Sequence, residues 1–318
     1  MTRPRLALIL AGLVGCTVAF RAQAPGQGPA QTLHTFTKIA PGVYSAIGSG
    51  ALNAGSNSAV IINEQDVVVV DAHMTPESGR VLRQEIKTLT DKPVRFLIDT
   101  HFHYDHTDGN QAFSPIADII GHEYTRARLA APDYTQRGML GDLLRRQTPL
   151  AESLTSLKPT PPNVTLDDHL TLFRGDREIR LLYLGRGHTG GDVVVYLPKE
   201  RVLCSGDLLV NGIANLVDGY VDVWPDALEK LKLIDFVDVI PGHGDPFMGK
   251  ERIGWFQAYL RDLWTQATAL HDQKVTAADA AKRIDMTAHK PHYATIAGPG
   301  VNPAAVSRIY EVIEKRAE

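Results

Sequence analysis

Thr100-His101-Phe102-His103-Tyr104-Asp105-His106-Thr107-Asp108-Gly109 sets three imidazoles and two carboxylates into one short loop, directly after the apolar run Val94-Arg95-Phe96-Leu97-Ile98. That density of donors asks for a metal ion. In an extended or tightly looped backbone, residues two apart point the same way. His101 and His103 can therefore grip one ion while Asp105 and His106 turn towards a second. One loop cannot complete two ion shells, so the pattern demands further ligands downstream, each at the end of another strand.

Upstream of the loop, Phe36 to Ile47 and Ser58 to Asn63 carry strand patterns on either side of a Gly-, Ser- and Asn-rich stretch. Val67-Val68-Val69-Val70 is a continuous β-branched run, the mark of a strand buried on both faces, and it ends in Asp71. Thr75-Pro76-Glu77 opens a helix with Val81, Leu82, Ile86 and Leu89 on one face, and the strand Val94 to Ile98 then delivers the histidine loop. This strand-helix-strand order indicates a layered α/β architecture. Downstream, Ile116 to Gly121 reads as a strand and His122 to Ala130 as a helix, with His122 at the surface. Residues 132–163 lose the rhythm, and an irregular insertion of that length suits a lid or a solvated connector.

Strand patterns resume at Leu170 to Phe173 and Ile179 to Leu184, joined by a turn at Arg174-Gly175-Asp176. Gly185-Arg186-Gly187-His188-Thr189-Gly190-Gly191-Asp192 then sets one histidine among four glycines, which let the backbone approach an ion closely. Arg201-Val202-Leu203-Cys204-Ser205-Gly206-Asp207 repeats the device of an apolar strand ending in an acid, and Cys204 reads as core packing. Beyond a Gly-rich loop with Asn211 and Tyr220, Trp224-Pro225-Asp226 starts a helix, and Val237 to Ile240 hands over Pro241-Gly242-His243-Gly244-Asp245. From Arg252 the pattern is helical: Ile253, Phe256, Leu260, Leu263 and Ala267 recur at three and four residues, as do Val306, Ile309, Tyr310 and Ile313. This extension is expected to pack beside the core, with His289 and His292 at the surface.

His101 to His106, with Asp71, His188, Asp207 and His243 in the same order along the chain, resembles the signature of the metallo-β-lactamase-fold hydrolase superfamily from Phe36 to Met248. The resemblance implies a four-layer αββα sandwich with two zinc ions at one edge. It places His101, His103 and His188 on one ion, Asp105, His106 and His243 on the other, and Asp207 between them. Asp71 and Asp192 are expected to brace these ligands, and iron or manganese are the alternative metals. Two close zinc ions lower the pKa of water from about 16 to about 7, so a hydroxide held between them is the expected nucleophile. Asp105 would orient it and pass its proton to the leaving group.

The superfamily includes β-lactamases, glyoxalase II thioesterases, lactonases, arylsulfatase-like and phosphodiester enzymes, and sulfur-oxidising iron enzymes, so the fold does not name the substrate. An uncharged or modestly polar ester, thioester or lactone is expected, because the loops around Tyr104, Asn211 and Tyr220 offer aromatic and amide groups without a cationic grip. The alternatives are lactam cleavage, an iron persulfide dioxygenase, and a metal-retaining binding protein without turnover. Lactam cleavage is disfavoured because Val210 stands where one β-lactamase subclass carries a substrate-gripping Lys.

The chain has 318 residues, 44% hydrophobic and 22% charged, enough to bury a full core. Arg3, Arg5, the apolar run Leu6 to Phe20 and Ala22-Gln23-Ala24 read as a signal peptide over residues 1–24. The protein is therefore expected to be exported, periplasmic or secreted. A lipoprotein signal at Leu13-Val14-Gly15-Cys16, with Cys16 as lipid anchor, is the alternative; Val18-Ala19-Phe20 continues the apolar run past Cys16 and favours simple export. Residues 25–35 read as a flexible lead-in, 36–250 as the catalytic domain and 251–318 as the helical extension. Processing removes three of 33 basic residues and none of 36 acidic ones, leaving a net charge of about −6. No basic stripe for nucleic acid and no stable membrane span are expected, and the partner is a small-molecule substrate. Oligomeric state is left open by the sequence. After processing only Cys204 remains, so stability is expected to rest on the core and on bound metal.

Overall fold

The computed structural model describes residues 32–317 apart from Arg137 and Gln147. The expected signal peptide, Cys16 and most of the lead-in lie outside the described residues. From His34 the chain makes an antiparallel meander of β1 (His34–Ala40), β2 (Val43–Gly48), β3 (Asn57–Ile62) and β4 (Val67–Val70). It crosses through α1 (Pro76–Glu85) to β5 (Val94–Ile98), which lies parallel to β4. α2 (Tyr104–Thr107), β6 (Asp118–His122), α3 (Glu123–Leu129), α4 (Gly138–Leu144), α5 (Pro149–Ser153) and β7 (Val164–Leu166) follow. β1 to β7 lie side by side in sequence order in one sheet.

The second sheet takes β8 (His169–Arg174), β9 (Arg177–Tyr183), β10 (Val193–Leu197), β11 (Val202–Gly206), β12 (Asp238–Pro241) and β13 (Phe247–Met248), with α6 (Trp224–Lys232) crossing between β11 and β12. As in the first sheet, the strands joined by the helix are the parallel pair. α7 (Glu251–Asp272), α8 (Ala277–Arg283) and α9 (Pro303–Ala317) complete the chain.

Side-chain alternation along the strands builds the layers. Val68, Val70, Ile98 and Ile120 point inward and meet Val193, Val195, Cys204 and Ile240 of the other sheet. Val67, Val69, Leu97 and Ile119 point outward onto Leu82 and Ile86 of the first helical layer. Val194, Tyr196 and Leu203 point outward onto Trp224, Leu228, Phe256, Leu260 and Ile309. The result is the four-layer αββα sandwich that the resemblance implied, with the C-terminal helices in the outer layer of the second sheet. α1 starts where Thr75 and Ser78 exchange capping-box hydrogen bonds of 3.0 Å, with Pro76 as its first residue.

Several elements differ from the sequence reading. The strand pattern over Phe36 to Ile47 is a hairpin: Pro41 and Gly42, the latter at φ 73°, turn the chain between β1 and β2. β1 also begins at His34, inside the expected lead-in. The insertion is not wholly irregular, since it carries α4 and α5, and β7 follows it. His122 is buried rather than at the surface, and its Nδ1 caps α3 by accepting from the Tyr124 amide at 3.0 Å. His289 is half-buried, its Nε2 3.0 Å from Asp262, whereas His292 is exposed and stacks on Trp255. No helix among the described residues is long and apolar enough to cross a membrane.

Candidate metal centre

Parallel strands end at the same edge, so the residues that follow them meet. Asp71 follows β4 and the histidine loop follows β5, while Asp207 follows β11 and His243 follows β12. His188 comes from the glycine-rich loop that precedes β10. The packing is tight enough that Gly242 has no room for a Cβ, which would run into Asp207 Oδ1 and His106 Cε1. Asp71 and His73 hold φ values of 60° and 70°, a strained conformation for side-chain-bearing residues that the surrounding contacts enforce.

The expected ligands converge. His103 Nδ1 lies 3.1 Å from His101 Nε2 and 2.8 Å from His188 Nε2. His243 Nε2 lies 3.2 Å from both Asp105 Oδ2 and Asp207 Oδ2 and 3.4 Å from His106 Nε2. Asp207 reaches both sides, 3.4 Å from His188 Nε2 and 3.5 Å from His106 Nε2. Three donor groups result, each with its atoms within 4.8 Å of one another: His101, His103 and His188; His101, His106 and Asp207; Asp105, His106 and His243.

Hydrogen bonds on the far side of the rings decide which nitrogen faces inward. Asp71 accepts the Thr100 amide and the Thr100 hydroxyl, each at 2.8 Å, and the Nδ1–H of His106 at 2.8 Å. Thr100 Oγ1, its own proton given to Asp71, accepts from His101 Nδ1 at 3.0 Å. One carboxylate therefore fixes two imidazoles with their Nε2 lone pairs turned inward. Asp192 braces differently: it accepts the amide and hydroxyl of Thr189, and so holds the loop beside His188 rather than the His188 ring. Burial pushes its carboxyl up to about 6 against those donors.

These residues fit a metal centre. Inward lone pairs crowded to about 3 Å repel one another unless a cation lies among them, and Asp207 Oδ1 is buried without a hydrogen-bond partner. Burial, reinforced by the neighbouring imidazoles, lowers the His101 pKa well below its ordinary value and brings His188 to about 3, so both are neutral imidazoles. On the other side, burial opposes charge but the carboxylates of Asp105, Asp71 and Asp207 raise His106 to about 9, and Asp207 and Asp105 raise His243 to about 11. That half of the cluster favours positive charge. Cys204 takes no part: it lies between the sheets, and burial holds its thiol protonated.

Asp218 was not singled out in the sequence. Its carboxylate accepts the Nε2–H of His103 at 3.0 Å, which turns Nδ1 inward. It lies 115 residues from His103 in an irregular loop, and no local pattern marks it. Of the three residues expected near substrate, Tyr104 lines a cleft beside His103. Asn211 sits behind His243, donating to the Asp245 carbonyl, and Tyr220 is held between the guanidinium groups of Arg186 and Arg308. The cleft does contain a cation, contrary to the sequence reading: Arg128 lines it, together with Met139 and Leu140 of the insertion.

A family model for the metallo-beta-lactamase superfamily matches residues 53–243. The chain is 25% identical over 242 residues to a linear primary-alkylsulfatase of Pseudomonas sp. (strain ATCC 19151), covering 66% of this chain and 45% of that protein. It is 30% identical over 187 residues to 2,4-dinitroanisole O-demethylase subunit alpha of Nocardioides sp. (strain JS1661), covering 58% and 51%. It is 26% identical over 196 residues to metallo-beta-lactamase type 2 of Bacillus cereus, covering 60% and 67%. The chain thus spans about half the length of the first two relatives. A solved metallo-beta-lactamase from Pontibacter korlensis shares the fold, with a TM-score of 0.56 at 23% identity over 72% of this chain and 99% of that one. The matched stretch contains every residue of the cluster from Asp71 to His243, and on that ground the chain belongs to the metallo-beta-lactamase superfamily.

Proposed function

We propose that the chain is an exported zinc hydrolase that cleaves an ester, thioester or lactone at this cluster. The observation that carries the reading is the inward convergence of His101, His103, Asp105, His106, His188, Asp207 and His243, with far-side hydrogen bonds orienting the rings of His101, His103 and His106. When bound, two zinc ions supply Lewis acidity and lower the pKa of water to about 7. His101, His103 and His188 would hold one ion, Asp105, His106 and His243 the other, and Asp207 reaches both. Asp105 is half-buried, its Oδ2 turned into the cluster, where it can take a proton and hand it to a leaving group. No serine or thiol nucleophile is required.

The relatives' names cover a primary alkyl sulfate, 2,4-dinitroanisole and β-lactams. Val210, in place of a gripping lysine, argues against a dedicated lactamase, so carbonyl esters come first on the panel and sulfate esters and lactams after them. The test combines zinc content with hydrolysis across that panel, for the wild type and two variants. Two zinc ions per chain are expected. Asp207→Ala should damage both sites, and Asp105→Asn should lower turnover far more than metal content. Equal activity per bound metal pair in Asp105→Asn would remove the proton-carrying role, and activity that needs iron and oxygen would overturn hydrolysis itself. Export is tested by amino-terminal sequencing of protein from a native-like host; an intact Met1 in a cytosolic fraction would refute it.

A further inference from the structure

A cleft opens beside His103, between Phe102 and Tyr104 of the histidine loop and Tyr134, Met139 and Leu140 of the insertion. Its walls carry aromatic and aliphatic side chains, with His103, Asp133, Asp218 and Arg128 among them. Arg128, in the last turn of α3, brings a guanidinium group to this cleft and lies over the Phe102 ring, 4.6 Å from its centroid. Phe102 is itself buried, so the stacking holds the guanidinium against a fixed surface.

Two carboxylates, Asp133 and Asp218, share the cleft with Arg128. Asp218 shares the cleft but accepts from His103 at 3.0 Å, and Asp133 has a partner of its own. The neighbouring Arg126 is used structurally, donating to the Pro162 carbonyl. Among the described residues Arg128 has no carboxylate within ion-pair distance, although, against burial, His103 first and then Arg128 help to hold the Asp218 carboxyl below its usual range. A planar cation in the lining of a cleft with aromatic and aliphatic surfaces, beside His103 of the donor cluster, suits an anionic group carried some way from the scissile bond.

We propose that Arg128 is the specificity residue of this site and that the substrate is an ester with a second, acidic group at the far end of an apolar spacer. The spacer would lie along Phe102, Met139 and Leu140, the scissile bond towards His103, and the terminal carboxylate or sulfate on Arg128. This rests on the hydrolytic reading.

The test uses zinc-loaded full-length protein and two aryl esters that differ only in a terminal carboxylate, 4-nitrophenyl hexanoate and mono-4-nitrophenyl adipate. The wild type is expected to favour the adipate ester. Arg128→Gln should lower the ratio of the two kcat/KM values by about 10- to 100-fold, and Arg128→Lys should restore part of it. An unchanged ratio in Arg128→Gln overturns the proposal. If neither ester is cleaved, the hydrolytic reading fails separately, and calorimetric titration with octanoate still reads Arg128. Weaker binding to Arg128→Gln by a similar factor supports the assignment. Equal binding to both proteins overturns it, because a carboxylate held only by the metal centre would not sense the arginine.

Discussion

Asp218 acts on the cluster from outside its interior, through the His103 ring. Removing Asp218 frees the His103 ring to rotate and to place a proton on the inward nitrogen. Asp218→Ala is therefore expected to lower zinc affinity about 10- to 100-fold, measured by competition with a chromophoric chelator; an unaltered affinity would take Asp218 out of the metal centre. His73 is wholly buried, and burial first, then the neighbouring His34, lower its pKa from 6.5 to about 3. Below pH 6.5 the unfolded chain binds a proton that the folded chain excludes, so this contribution is intact above pH 6.5 and drains away as the pH falls towards 3. Between pH 6.5 and 5 the loss amounts to about 2 kcal/mol. His73→Asn, a residue that tolerates the φ of 70°, should lose correspondingly less stability between pH 7 and pH 5 in urea titrations. At this scale the expected ligands could be read because they crowd into short motifs at strand ends. Asp218, Arg128 and the burial of His122 could not, since each owes its place to chain brought near by the fold.

Among the elements, α6 ties the second sheet to the metal centre. Trp224 is fully buried, its Nε1–H donates to the Leu208 carbonyl at 3.1 Å, and its ring meets His188 and Phe256 edge-on with centroids 5.5 and 5.2 Å apart. Trp224→Ala is expected to cost about 3–5 kcal/mol in chemical denaturation and to loosen the His188 loop. A loss under about 1 kcal/mol would mean that the layer closes over the gap. Long periodic elements such as α7 and the valine runs of β4 and β10 announce themselves through apolar spacing. β7, of three residues, and β13, of two, pair only because a neighbouring strand presents its edge, so their sequences carry little signal. The β1–β2 hairpin was marked by Pro41-Gly42, a turn signal obscured by the apolar residues around it.

On the scale of the whole molecule, each of the three donor groups draws two side chains from the loop after β5 and its third from the second sheet: His188, Asp207 or His243. No group can be completed by one sheet alone, so a chain whose sheets have not yet docked offers only a partial grip on zinc. An ion held there would act as a rivet through a finished sandwich and give little guidance to its assembly. Zinc in the refolding buffer is expected to leave the refolding rate near its metal-free value and to slow unfolding, with the added stability appearing almost wholly in the unfolding rate. Stopped-flow measurements in zinc and in chelator separate the two rates, and refolding that accelerates in step with zinc would mean that the histidine loop captures the ion before the sheets meet. If the rivet comes last, metal supply sets how long the protein survives unfolding and proteolysis, while the fold itself is reached without it.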